Sequence, residues 1–154
     1  DWRPGEHSNT FGGNPVAMSA ALVAMEETKR LIKEGVVERL AKSLEIKLRG
    51  LAEQFPDLIV EVRGWGAMWG IEVRGSQLKS RIITLGEEIV EETGCGLLLL
   101  GAGNQTGSPV DVVRVMPPLN ITQEDIDCAF DVLKKVFTKV HREFEDISYT
   151  HFIR

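Results

Sequence analysis

The run Ile59-Val60-Glu61-Val62-Arg63-Gly64-Trp65-Gly66-Ala67-Met68-Trp69-Gly70-Ile71-Glu72-Val73 decides the fold. Residues 59–63 and 67–73 are rich in β-branched and aromatic side chains, and Gly64-Trp65-Gly66 between them is short enough to favour a hairpin. The Gly-x-Gly lacks a third glycine at the dinucleotide spacing and does not open a helix, so it does not read as a nucleotide loop.

Working back from the hairpin, Pro56-Asp57 closes a helix expected from about Gly35 to Phe55, with Val37, Leu40, Ala41, Leu44, Leu48, Leu51 and Phe55 at helical spacing. An earlier helix is expected from Pro15 to about Arg30. Its residues Val16, Ala17, Met18, Ala20, Ala21, Leu22, Val23, Ala24 and Met25 are apolar on every face. Such a helix requires burial on more than one side, which a domain of this size does not readily supply, so the composition points to missing neighbours.

Working forward, Gln77 to about Thr93 reads as a third helix with Leu78, Ile82, Leu85, Ile89 and Val90 on one stripe, closed by Gly94 and Gly96. Leu97-Leu98-Leu99-Leu100 reads as a short apolar strand, 101–109 as a loop, and 110–116 as the last strand, stopped by Pro117-Pro118. Thr122 caps the final helix, with Asp125 in the capping-box position and Ile126, Ala129, Phe130, Leu133, Phe137 and Val140 as its apolar stripe. The tail after about Phe144 yields no reading. Hairpin-joined strands with helices left to cover one face give an α+β class: two layers, with a mostly antiparallel three- to four-stranded sheet covered by helices on one face.

A chain of 154 residues, 43% of them hydrophobic, is long enough for one domain with its own core. The net charge of −5, with basic residues spread among acidic ones, leaves no footprint for nucleic acid. No apolar run approaches the roughly 20 residues of a membrane span, and the start shows no signal-peptide pattern. Cys95 and Cys128 fall in a loop and a helix interior without metal-like spacing, read as small fillers rather than nucleophiles, and fit a reduced, cytoplasmic protein. The chain opens on Asp1-Trp2-Arg3-Pro4 without methionine, as though cut from something longer.

Before the first helix lies Pro4-Gly5-Glu6-His7-Ser8-Asn9-Thr10-Phe11-Gly12-Gly13-Asn14-Pro15. Asn14 is a favoured N-cap and Pro15 suits the first helical position. The helix end behind two glycines is a natural place for an anion, and Thr10 adds a hydroxyl donor there; equally, a polar Gly-rich loop is ordinary punctuation. The run from Gly5 to Pro15 resembles the Gly-Glu-His-x-x-Thr-(Phe/Tyr)-Gly-Gly-Asn-Pro segment of class III, fold type I, pyridoxal-phosphate aminotransferases. The hairpin resembles that family's Val-Arg-Gly-(Lys/Arg)-Gly-Leu-Met-x-Gly-(Ile/Val)-Glu, with Trp65 where a basic residue is commoner. Arg114 through Thr122 resembles its Arg-x-x-Pro-Pro-Leu-x-Ile-Thr.

The resemblance implies a division into a cofactor-phosphate loop, 1–14, and the family's C-terminal small domain, 15–154. It implies that Thr10, with Asn9 beside it, binds the phosphate of pyridoxal 5'-phosphate across a homodimer interface. It also implies that Arg114 binds a substrate carboxylate, for which a guanidinium fork is suited. From the residues alone, Arg114 could equally point to solvent from one face of its strand. The implied reaction passes an amino group from an ω-amino acid such as 4-aminobutyrate to a 2-oxo acid such as 2-oxoglutarate, in the 4-aminobutyrate, ornithine and acetylornithine branch.

No catalytic residue is assigned within this stretch and no metal site is expected. The lysine that would hold the cofactor lies upstream in the family, and Lys29, Lys33, Lys42, Lys47, Lys79, Lys134, Lys135 and Lys139 all read as solvated helix faces. His7 orders its loop, while His141 and His151 read as solvent-facing. Two other classes stay open: a stand-alone α+β ligand-binding dimer module whose Arg114 captures a small acid, and a racemase or decarboxylase on the same scaffold.

Overall fold

The computed structural model describes Arg3 and residues 10–102 and 111–152. The elements run α1 (Pro15–Lys33), α2 (Val36–Gln54), β1 (Ile59–Trp65), β2 (Met68–Val73), α3 (Ser76–Glu88), α4 (Val90–Thr93), β3 (Leu100–Ala102), β4 (Asp111–Val115) and α5 (Gln123–Phe152). The four strands form one sheet in the order β1-β2-β4-β3, each neighbour antiparallel. This is the expected α+β arrangement.

The hairpin is tighter than its glycines imply. Trp65 pairs with Met68, so the turn is Gly66-Ala67, and Gly66 takes φ +63°, the left-handed conformation a two-residue hairpin turn needs at its first position. The indole Nε1 of buried Trp69 donates to the Gly66 carbonyl at 2.9 Å. At Gly64, a β-carbon would lie 2.4 Å from the Met68 carbonyl oxygen and 2.6 Å from the Trp69 ring. Gly50, inside α2, would meet nothing within 4 Å. The two glycines therefore respond oppositely to alanine. Gly64→Ala should lower stability by about 1–3 kcal/mol through overpacking, and Gly50→Ala should raise it by about 0.5–1 kcal/mol through helix propensity. Urea midpoints read both, and equal shifts would refute the packing account of Gly64.

One face of the sheet carries the core. Trp69, Ile71, Val73 and Val113 are buried under α2 and α3, and α5 packs on both helices. Leu40, Leu44, Leu48 and Leu51 of α2, Leu78, Ile82 and Leu85 of α3, and Ile126, Phe130, Leu133, Phe137 and Val140 of α5 supply the cover. Thr122 starts α5 as expected: its Oγ1 accepts from the Asp125 N–H at 3.1 Å. The shorter aspartate arm takes the Thr122 hydroxyl proton at 2.7 Å. No reading covered the tail, and α5 continues helical through it to Phe152.

Two expectations are corrected. The third helix does not run unbroken to Thr93: α3 ends at Glu88, and the N–H groups of Glu92 and Thr93 both turn back to the Ile89 carbonyl. That tightening rotates Val90 off the buried stripe, to 45% exposed. The leucine run is not a strand. The Leu97 N–H donates to the Gly86 carbonyl of α3 at 2.7 Å, which diverts the run along that helix until β3 begins at Leu100. The helix α1, whose all-round apolar surface called for further neighbours, is not covered among the described residues. It packs on α2 with Leu31 alone buried, and Val16, Leu22, Val23 and Met25 are exposed.

Candidate functional site

Strand alternation sets where Arg114 points. Its neighbour Val113 is fully buried beneath the helices, so Arg114 projects from the helix-free face, paired with Gly70 on β2 and Leu100 on β3. It is exposed, and its Nη2 donates to the Gly101 carbonyl at 3.3 Å. Among the described residues no carboxylate reaches it.

Arg63, in the same cross-strand row beyond Gly70, has a different role. It binds Glu72 and, at 2.9 Å, Glu61. The hydrogen bond to Glu72 above all, with a smaller one from Glu61, raises its pKa above the usual guanidinium value against the opposing effect of burial. Two arginines thus share one face, and Arg114 is the one whose donor fork is not engaged by glutamates. Gly70 places no side chain between them; a β-carbon there would stand 2.8 Å from Val112 Cγ1. Trp65, Met68, Leu98, Leu100 and Met116 leave apolar surface exposed around this region.

At the other candidate position, Thr10 is exposed in the turn that feeds α1. Asn14 is the N-cap: its Oδ1 accepts from the Ala17 N–H at 2.9 Å and its Nδ2 donates to the Phe11 carbonyl at 2.7 Å. Since Pro15 has no N–H and that of Ala17 is taken, the helix end offers an anion little, and the Thr10 hydroxyl is the stronger donor. Asn9 and His7 lie outside the described residues, as do most of the 101–109 loop and the His151 side chain. Thr10 and Arg114 do not converge. Thr10 leads into α1, which packs on α2, and Arg114 is on the face of the sheet turned away from α2.

Other side chains depart from their sequence readings. Lys79 is not a solvated helix residue: it is 7% exposed, runs beneath Gly101, and its Nζ meets Asp111 Oδ1 of β4 at 2.8 Å. Its long stem lets the ammonium cross an apolar layer to a carboxylate that spacing along the chain does not reveal. His141 is half-buried against Phe55, ring centroids 6.1 Å apart, rather than solvent-facing. Cys95 packs half-buried against the core and Cys128 is exposed, as small fillers would be. No group of three His, Cys, Asp or Glu side chains among the described residues is arranged to hold a metal ion. No described helix is long and apolar enough to cross a membrane.

The sequence model of the family described as Aminotransferase class-III matches residues 1–137. This chain belongs to the class-III aminotransferases. It is 36% identical over 137 residues to an acetylornithine aminotransferase of Thermosynechococcus vestitus, covering 87% of this chain and 30% of that protein. It is 31% identical to a diaminobutyrate–2-oxoglutarate transaminase of Oceanobacillus iheyensis, covering 87% and 29%. Among solved structures, an ω-aminotransferase from Paracoccus denitrificans superposes with a TM-score of 0.66 at 26% identity, covering 90% of this chain and 30% of that one. A Bacillus anthracis aminotransferase gives 0.65 at 27% identity, covering 87% and 30%. This class-III aminotransferase chain therefore spans about three-tenths of the length of these relatives.

Proposed function

We propose that residues 15–154 are the small C-terminal domain of a pyridoxal-phosphate-dependent transaminase, and that residues 1–14 carry its cofactor-phosphate loop. The intact enzyme is a homodimer that moves an amino group from an ω-amino acid to a 2-oxo acid such as 2-oxoglutarate. The observation that carries this reading is Arg114, whose fork of donors stands on an open sheet face without a carboxylate among the described residues.

The cofactor fits this chain at one end. Thr10 offers an exposed hydroxyl to its phosphate, with Asn9 beside it in sequence. When bound, pyridoxal phosphate supplies the electron sink for chemistry at the amine-bearing carbon. Arg114 binds and orients the substrate carboxylate, and the apolar side chains around it limit water at that contact. Lys79 is engaged with Asp111, and the family resemblance places the amine that holds the cofactor upstream, in another part of the intact enzyme. Thr10 leads into α1, which packs on α2, and Arg114 stands on the sheet face turned away from α2. Separate positions, together with the exposed apolar flank of α1, support a dimer in which each residue serves a different copy of the site.

The donor is best sought among 4-aminobutyrate, acetylornithine and diaminobutyrate, the first from the motif wording and the others from the names of the relatives. The test is glutamate formation from each donor and 2-oxoglutarate, by the intact enzyme and by the 154-residue chain alone. Transfer by the intact enzyme alone is expected, and an intact enzyme inert toward every amino donor would end this reading. In the same protein, Thr10→Ala should weaken cofactor retention by about tenfold or more, the effect of losing a hydrogen bond to a charged group. Unchanged cofactor affinity would remove Thr10 from the phosphate site.

A further inference from the structure

We infer that Lys79 and Asp111 are positioning residues for substrate binding: their buried ion pair, passing beneath Gly101, seats the carbonyl that holds Arg114 in place. The inference rests on Arg114 being the residue that binds the substrate carboxylate. Lys79 belongs to α3 and Asp111 opens β4. Asp111 shares with Val113 the side of β4 turned to the helices, so the pair lies on the face opposite Arg114.

The strand between them is short and peripheral. β3 has three residues and stands at the edge of the sheet, paired with β4. At its centre, a β-carbon on Gly101 would lie 3.2 Å from Ile83 Cδ1 and 3.5 and 3.7 Å from Lys79 Cδ and Cε. The bare glycine is what lets these α3 side chains close on the strand. Past it, the Lys79 ammonium reaches Asp111 Oδ1 at 2.8 Å, so one side chain ties α3 to β4 across β3. From the other face, Arg114 Nη2 donates to the Gly101 carbonyl at 3.3 Å.

A directed contact suits this task better than an apolar one. Exchanging a buried ion pair for apolar side chains of similar volume is often neutral for stability. Stability therefore does not account for a charged pair whose side chains are only 8% and 14% exposed. What the pair adds is a fixed distance and direction, and with them a fixed place for β3 beside Arg114. A free arginine side chain gives up much rotamer freedom when it binds a ligand. With Nη2 engaged by Gly101, part of that ordering precedes the carboxylate, and the rest of the donor fork stays available. Losing the support should weaken carboxylate binding by about three- to tenfold with the guanidinium itself untouched.

The test is the KM for 2-oxoglutarate in the intact enzyme, with whichever amino donor supports transfer. It compares Lys79→Met/Asp111→Ala, Arg114→Ala and the combination of all these substitutions, with urea midpoints to establish that each variant folds. The double variant should raise KM about three- to tenfold with kcat nearly unchanged. In the Arg114→Ala background the same two substitutions should add nothing, since the pair acts only through Arg114. Asp111→Asn, whose side-chain oxygen still accepts from the ammonium, should keep KM near that of the unaltered enzyme. If the double variant does not fold, Gly101→Ala carries the same comparison, because it spares both charges and pushes Ile83 and Lys79 off the strand. An unchanged KM, or a rise that persists without Arg114, overturns the positioning role and leaves Arg114 as the carboxylate ligand. No effect of Arg114→Ala itself would instead remove that ligand, and the inference with it.

Discussion

Replacing Arg114 by alanine in the intact enzyme should raise the Michaelis constant for the carboxylate-bearing substrate by about 10- to 100-fold, with a smaller change in kcat. A charge-assisted hydrogen bond contributes about 1.5–3 kcal/mol, and a contact made equally in the bound substrate and the transition state appears in KM rather than kcat. The geometry makes the test clean. Arg114 is exposed, its bond to the Gly101 carbonyl is long at 3.3 Å, and it holds no core contact whose loss would unfold the sheet. Arg63→Ala is the matched control on the same face. Its charge is taken by Glu61 and Glu72, so it should leave KM nearly unchanged. Equal effects of the two substitutions, or none from Arg114→Ala, would make Arg114 a solvated strand residue.

Asp111→Ala should destabilise the chain by about 3–5 kcal/mol, because it strips the carboxylate from an ammonium that is almost wholly out of water. The side chains of Lys79 and Asp111 are 8% and 14% exposed and meet at 2.8 Å. Removing both charges should restore most of the loss, so the double variant Lys79→Met/Asp111→Ala should unfold at a urea midpoint close to that of the unaltered chain. A double variant as unstable as Asp111→Ala would mean that the pair matters through packing and not through charge.

Local signals made much of the fold legible. The hairpin, the stripes of α2 and α5, the Asn14 and Thr122 caps and the sheet's single covered face all follow from periodicities and residue types within a few positions of one another. What stayed hidden depends on distant partners. The run 97–100 looks like a buried strand until Gly86 of α3 claims the Leu97 N–H. Lys79 looks solvated until β4 brings Asp111 under it. At the candidate site, alternation within 110–116 is enough to turn Arg114 and Val113 to opposite faces, but not to say which face the helices cover. That choice, and the pairing that engages Arg63 and leaves Arg114 without a glutamate, belong to the assembled sheet.

The strand order also has a consequence for how the chain reaches its native state. β4 is the last strand to be synthesised, yet it lies between β2 and β3. The β1–β2 hairpin must therefore keep one edge open while some 40 further residues emerge, and β3 has no sheet neighbour before β4 arrives. Until then the inner face of β2, with Trp69, Ile71 and Val73, is available to other chains as readily as to its own. The N-terminal two-thirds of this domain is thus the aggregation-prone stage of its biosynthesis, and arrival of residues 111–115 is the event that ends it.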